Sequence, residues 1–243
     1  PLLQRALTIT EAVYGPDHPE VSTDLNNQAS ALHDLGRAAD ALPLLQRALA
    51  IDEAVYGPDH PTVSTDLNSL ALALRTLGRA GEALPLVERA LAIDEAVYGP
   101  DHPTVSTRLN NLALALHDLG RAADALPLLQ RALTITEAVY GPDHPEVATR
   151  LNNLARALRT LGRAADALPL LQRALAIDEA VYGPDHPVVA TDLNNLAGAL
   201  PDLGRAADAL PLLQRALAIA EAVYGPDHPS VVLIRRNLSN LDE

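Results

Sequence analysis

Residues 61–102 read PTVSTDLNSLALALRTLGRAGEALPLVERALAIDEAVYGPDH, and the pattern of this stretch decides the fold. Val63, Leu67, Leu70, Ala71, Leu74 and Leu77 recur at spacings of three and four, the period of an amphipathic helix. Pro61 suits the first helical position, where its missing N–H costs nothing. Asp59 or His60 stands where an N-cap belongs. Gly78, free to take positive φ, ends the segment. A second apolar stripe runs through Ala83, Leu84, Val87, Ala90, Leu91 and Val97, and Gly99-Pro100 stops it. The spacing predicts a helix A over about 61–77 and a helix B over about 80–98. Pro85 falls inside helix B and removes one hydrogen bond. A bend at Pro85 fits better than a helix starting there, because Ala83 and Leu84 continue the stripe.

The same punctuation recurs along the chain. Tyr14, Tyr56, Tyr98, Tyr140, Tyr182 and Tyr224 lie 42 residues apart, and each opens the string Tyr-Gly-Pro-Asp-His-Pro. Cutting at His-Pro gives five periods, 19–60, 61–102, 103–144, 145–186 and 187–228, flanked by half-periods 1–18 and 229–243. A helix pair of this size cannot bury its apolar face alone, whereas stacked pairs bury it continuously. The expected fold is therefore all-α, an α-solenoid of antiparallel A/B pairs forming one array over 1–243. The chain begins in mid-pattern with a lone helix B, which reads as a fragment whose apolar edge more repeats or another domain would cover. At the other end Arg235 replaces a core leucine (Leu25, Leu67), and the stripe shifts to Val231, Ile234, Leu238 and Leu241. Residues 229–243 are thus expected to form a capping helix.

The run Leu-Gly-Arg-Ala-x-x-Ala-Leu-Pro-Leu-x-x-Arg-Ala-Leu-x-Ile, with small residues at Ala71, Gly78, Ala83 and Ala90, resembles the tetratricopeptide repeat. The unit is longer than the familiar form of roughly 34 residues. With Leu-Asn-Asn-Leu-Ala in helix A, it resembles the longer kind found in kinesin light chains and in many bacterial proteins. The resemblance implies a right-handed superhelix whose concave wall, lined by A helices, takes up peptides. Family members that clamp a terminal carboxylate carry Lys or Arg where this chain has Thr23, Thr65, Thr107, Thr149 and Thr191. Chaperone tails are therefore not expected partners.

Composition narrows the function. Apolar residues make up 48% of the chain, with no Phe, Trp, Met or Cys. The net charge is −13, and every basic residue is Arg. An acidic balance argues against nucleic acid and anionic membrane as partners. The absence of Cys excludes disulfides, thiolate catalysis and zinc–thiolate sites, and is compatible with a reducing cytoplasm. No stretch is long and apolar enough to span a bilayer. The six His-Pro histidines follow the stacking of repeats, at about 10 Å. Metal ligation needs nitrogens about 2 Å from one ion. His33 and His117 lie two repeats apart. No phosphate loop or nucleophile motif occurs. No metal, cofactor or catalytic role is expected.

On a helical wheel, Thr23, Asn27, Ser30 and Asp34 lie opposite the apolar stripe of helix A, flanked by Asn26, His33 and Asp24. These positions and their copies form the expected groove. One position reads Ser30, Leu72, Leu114, Arg156, Gly198. A second reads His33, Arg75, His117, Arg159, Pro201, and a third Asp24, Asp66, Arg108, Arg150, Asp192. Asparagines stay nearly constant: Asn26/Asn27, Asn68/Ser69, Asn110/Asn111, Asn152/Asn153 and Asn194/Asn195. An asparagine ladder can hold an extended peptide backbone through paired donors and acceptors. Arg108, Arg150, Arg156 and Arg159 make a cationic patch suited to carboxylate or phosphate. Leu72 and Leu114 would hold an apolar side chain. The expected partner is thus a protein or peptide with acidic and apolar residues. Three structural readings stand beside this one. The asparagines can tie neighbouring repeats together, the leucines can pack on the next A helix, and the Arg/Asp alternation can be a solvated face. Self-association through bare repeat ends, giving a homo-oligomer, and a sensor arm of a larger signalling protein are the alternative functions.

Overall fold

A computed structural model describes residues 2–241. Among these, every regular element is helical, and the chain falls into two compact units, residues 1–121 and 122–243. The first unit runs α1 (Leu2–Tyr14), α2 (Pro19–Asp34), α3 (Ala38–Tyr56), α4 (Pro61–Thr76), α5 (Ala80–Tyr98) and α6 (Pro103–Asp118). In the second, α7 (Ala122–Tyr140), α8 (Pro145–Thr160), α9 (Ala164–Tyr182) and α10 (Pro187–Ala199) lead into a short 3-10 turn (Pro201–Leu203). Then come α11 (Ala206–Tyr224) and α12 (Pro229–Ser239). Within each unit, consecutive helices pack on one another, and A helices of adjacent repeats also touch, α4 on both α2 and α6, and α10 on α8.

The helix ends follow from the repeated punctuation, and the structure decides between the two cap candidates. His60, not Asp59, caps helix A: its Nδ1 accepts the Thr62 N–H at 3.2 Å, with Pro61 in the first turn. The same cap recurs at His18, His102, His144, His186 and His228. Each ring also stacks on the tyrosine four residues before it, at 4.7 Å for Tyr56 and His60. The six histidines are thus committed to caps. His60→Ala is expected to cost about 1 kcal/mol, with His60→Asn restoring most of it, as read by urea unfolding. At the far end of helix A, Gly78 adopts φ +73°. The Gly78 N–H donates to Arg75 O and the Arg79 N–H to Leu74 O, both at 2.9 Å, which is the Schellman arrangement that positive φ permits.

Helix B continues through its proline: α3 starts at Ala38 and carries Pro43 inside it, as do α5, α7, α9 and α11 with their own copies. Ala41, Ala83, Ala167 and Ala209, at fixed places on these helices, have no exposed surface, so neighbouring backbones approach closely there. Leucines and valines fill the space between, for instance Val63 and Leu67 against Ala90 and Ile93. The fifth repeat departs from the pattern. Pro201 has no N–H for the Ala197 carbonyl, so α10 stops at Ala199 and the 3-10 turn takes over.

Helix α12 packs on the core of its unit through the altered stripe. Val231 and Ile234 are buried, and Leu238 and Leu241 pack against the same core. Arg235 donates to the Pro226 carbonyl at 3.2 Å and pairs with Glu221 at 2.5 Å. In earlier repeats a helix-B arginine of the following repeat makes those contacts, as Arg215 does with Pro184 O and Glu179. Arg235 therefore supplies from a helix A what the next helix B supplies elsewhere.

Candidate functional site

The polar faces of the A helices open into small pockets between neighbouring repeats. In the first unit a pocket of about 120 Å³ lies between α2 and α4. Its rim carries Asn26, Ser30, His33 and Asn68, and its apolar lining includes Leu45 and Leu72. Leu72 is 42% exposed, so part of the leucine is available at the surface. Leu114, at the same position one repeat later, is half-buried, and Asn27 is exposed.

A pocket of about 190 Å³ in the second unit has a different lining: Asn152, Asn153, Arg156, Arg159 and Asn195 around Leu171. Arg156 is exposed. Arg159 is held in place, donating from Nε to Asp202 at 3.0 Å and from Nη2 to the Gly198 carbonyl. Gly198 makes room for it, since a Cβ there would lie 3.2 Å from the guanidinium. A neighbouring pocket of about 380 Å³ shares Arg159 and Asn195 and adds Asn194 and, from α12, Asn237. Arg75 of the first unit pairs with Asp118 at 2.8 Å in the same way, and His33 bonds Thr76 at 3.0 Å. His117 lies 4.0 Å from Asp118. The second groove position is thus largely occupied by ties between adjacent A helices.

The asparagines are ties as well. Asn111 donates to Asn68 Oδ1 at 2.7 Å, Asn195 to Asn152 Oδ1 at 3.3 Å, and Asn237 to Asn194 Oδ1 at 2.8 Å. Asn26 and Asn152 also donate to Asp66 and Asp192, at 2.7 and 2.6 Å. Asn110 is buried. Each rung joins one repeat to the next and leaves less hydrogen-bonding capacity for a peptide than a free ladder would.

The third position requires a correction. Arg108 and Arg150 are 7% and 6% exposed and do not line the groove. They lie in the seam between a helix A and the helix B before it. Arg108 pairs there with Asp94 at 2.8 Å and donates to Ser64 at 3.2 Å, and Arg150 pairs with Glu146 at 3.0 Å. Burial pushes both guanidinium pKa values down, and the neighbouring carboxylates oppose that shift. The same seam position holds Asp24, bonded by Thr10 at 2.6 Å, and the buried carboxyls of Asp66 and Asp192. A wheel drawn on one helix places these residues at the edge of the polar face. It does not show the preceding helix B that covers them. Of the four arginines expected to form one cationic patch, the second unit brings Arg156 and Arg159 together at a pocket.

Among the described residues, no group of three or more His, Asp or Glu side chains could hold a metal ion. No helix there is long and apolar enough to cross a membrane.

Comparison with known proteins agrees with this geometry. A tetratricopeptide-repeat family model matches residues 1–54, 23–96, 64–136, 104–180 and 153–201, and a second such model matches 189–230. Comparison with curated proteins finds no significant match. Among solved structures, the chain is similar to a Podosopora anserina protein described as a kinesin light chain with nearly identical TPR-like repeats. That match has 26% identity and a TM-score of 0.70, covering 85% of this chain and 98% of the other. It is also similar to BtubC of P. vanneervenii (23%, TM-score 0.73, coverage 93% and 89%). A third is Bacillus thuringiensis PlcR, solved with the peptide PapR7 and DNA (15%, TM-score 0.65, coverage 91% and 74%).

Proposed function

The chain belongs to the tetratricopeptide-repeat family, and from that premise we propose that it is a binding scaffold whose A-helix faces take up a peptide or a protein segment. The observation that carries this reading is the pair of unlike pockets on those faces. One, in the first unit, is lined by Leu45 and Leu72, and suits an apolar side chain. The other, in the second unit, presents Arg156 and Arg159 beside asparagine amides, and suits a carboxylate. The relative solved with a bound peptide, PlcR, supports peptide recognition. That structure also contains DNA, but a net charge of −13 disfavours nucleic acid as the partner of this chain. A binding role, not a catalytic one, fits the absence of any nucleophile or phosphate-loop motif in the sequence.

The test is selection of peptides from a random library, followed by affinity measurements on single variants. Arg156→Ala is expected to weaken binding of an acidic selected peptide by about tenfold, the value of one charge-assisted hydrogen bond. Leu72→Asp is expected to abolish binding of peptides that carry an apolar anchor. Unchanged affinity in both variants would sink the reading.

A further inference from the structure

Two seams hold carboxyls facing one another. Asp52 on α3 faces Asp66 on α4, and Asp178 on α9 faces Asp192 on α10, at the seam position where Asp94 and Arg108 lie 2.8 Å apart. All four side chains are buried. One oxygen of Asp52, Asp66 and Asp192 accepts from a neutral donor: Ser22 at 2.6 Å, Asn26 at 2.7 Å and Asn152 at 2.6 Å. Asp52 Oδ1, Asp66 Oδ2, Asp178 Oδ1 and Asp192 Oδ2 are buried without a partner among the described residues. The groups acting on Asp66 are Asn26, Asp52 and Glu53; those acting on Asp192 are Asn152, Asp178 and Glu179. All are neutral or anionic. Glu53 and Glu179 are themselves paired with Arg89 and Arg215, and His186 faces Asp178. At the equivalent seam Arg108 neutralises Asp94. Among the described residues, no arginine pairs with any of these four carboxyls. Two buried carboxylates in contact cannot both ionise cheaply, whereas a carboxyl and a carboxylate satisfy each other with one O–H···O bond.

We propose that each pair shares a single proton, and that losing it loosens the seam between neighbouring repeats together with the groove asparagine hung on it, so that both units respond to pH. The consequence for the groove rests on the binding reading above; the seam itself does not. Burial pushes Asp66 and Asp192 up to about 7, helped by the facing carboxyl and opposed by the asparagine bond. An aspartate in the unfolded chain loses its proton near about pH 4. Between those values the folded state binds more protons, so stability falls as pH rises through the window and returns on acidification.

The experiment is the thermal midpoint of the full chain at about pH 8 and about pH 5.5, with hydrogen exchange at α3–α4 and α9–α10. Relative to the Asp66→Asn/Asp192→Asn variant, the parent chain is expected to gain several degrees on going to the lower pH, with slower exchange at both seams. Asp66→Asn with Asp192→Asn replaces the shared proton by a permanent donor, and is expected to raise the midpoint at about pH 8 and to remove the pairs' contribution to the pH slope. Asp52→Asn with Asp178→Asn tests the same bonds from the opposite carboxyl. The infrared band of a buried protonated carboxyl reads them in the unaltered chain. A variant that keeps the parent slope overturns the proposal, as does exchange at the two seams of the parent that does not slow at the acidic pH. Loss of peptide selection with an intact pH response would count against the groove reading alone.

Discussion

Arg108→Ala is expected to destabilise the first unit by about 3–5 kcal/mol, the cost of leaving a buried carboxylate without its partner. Asp94 is buried and receives the Arg108 Nε–H at 2.8 Å. Removing the guanidinium strands that charge, and water reaches it only by opening the seam between α5 and α6. Replacing both members by apolar side chains of similar volume, Asp94→Leu with Arg108→Met, is expected to return stability to the parent value or above it. The two results together separate a desolvated pair from a favourable surface contact. Urea unfolding of the parent, the single variant and the double variant reads them. A cost below about 1 kcal/mol for Arg108→Ala would place the guanidinium in solvent, on the groove face where the helical wheel puts it.

Leu67→Ala is expected to cost about 2–5 kcal/mol, from lost transfer energy and the cavity left behind. Leu67 has no exposed surface and meets Ala90 and Ile93 across the helix pair. Alanines cannot move in to fill the gap, so little collapse is available to lower the cost. Leu109 and Leu151 occupy the same position in later repeats and are equally buried, and the same range applies to them. Stability in stacked repeats is close to a sum of nearest-neighbour terms. The change at Leu67 should therefore raise exchange most in α4 and α5.

The fold was legible because its signals are local and repeated. Apolar spacing set the helices, Gly78 and its copies ended helix A, and the shifted stripe of Val231 and Ile234 marked the buried side of α12. Each depends on residues within one or two turns of each other. The candidate site was legible only in part. Leu72 and Arg156 are exposed, on the face where a single wheel puts them. Arg108, Arg150 and Asn110 are not, because burial there comes from a neighbouring helix whose register no single helix reveals. One signal in the chain points to the seam. Residues fourteen apart read Thr10/Asp24, Asp52/Asp66, Asp94/Arg108, Thr136/Arg150, Asp178/Asp192 and Ala220/Ile234. The last pair is apolar on both sides, and the basic member at Arg108 faces an acid. Such matched changes at a fixed separation are what a contact between a helix B and the next helix A produces. The asparagine rungs are equally hidden from a single helix: Asn237 and Asn195 hold the same position one repeat apart, and each donates to an asparagine of the A helix before it, Asn194 and Asn152.

Binding on the A-helix faces is tested most directly by hydrogen exchange of the full chain with and without a library-selected peptide. The account predicts slower exchange on α2 and α4 around Leu72, and on α8 and α10 around Arg156 and Asn195, with α5 and α11 unchanged. Protection confined to the Tyr-Gly-Pro-Asp-His-Pro loops or to the helix-B surfaces would contradict it.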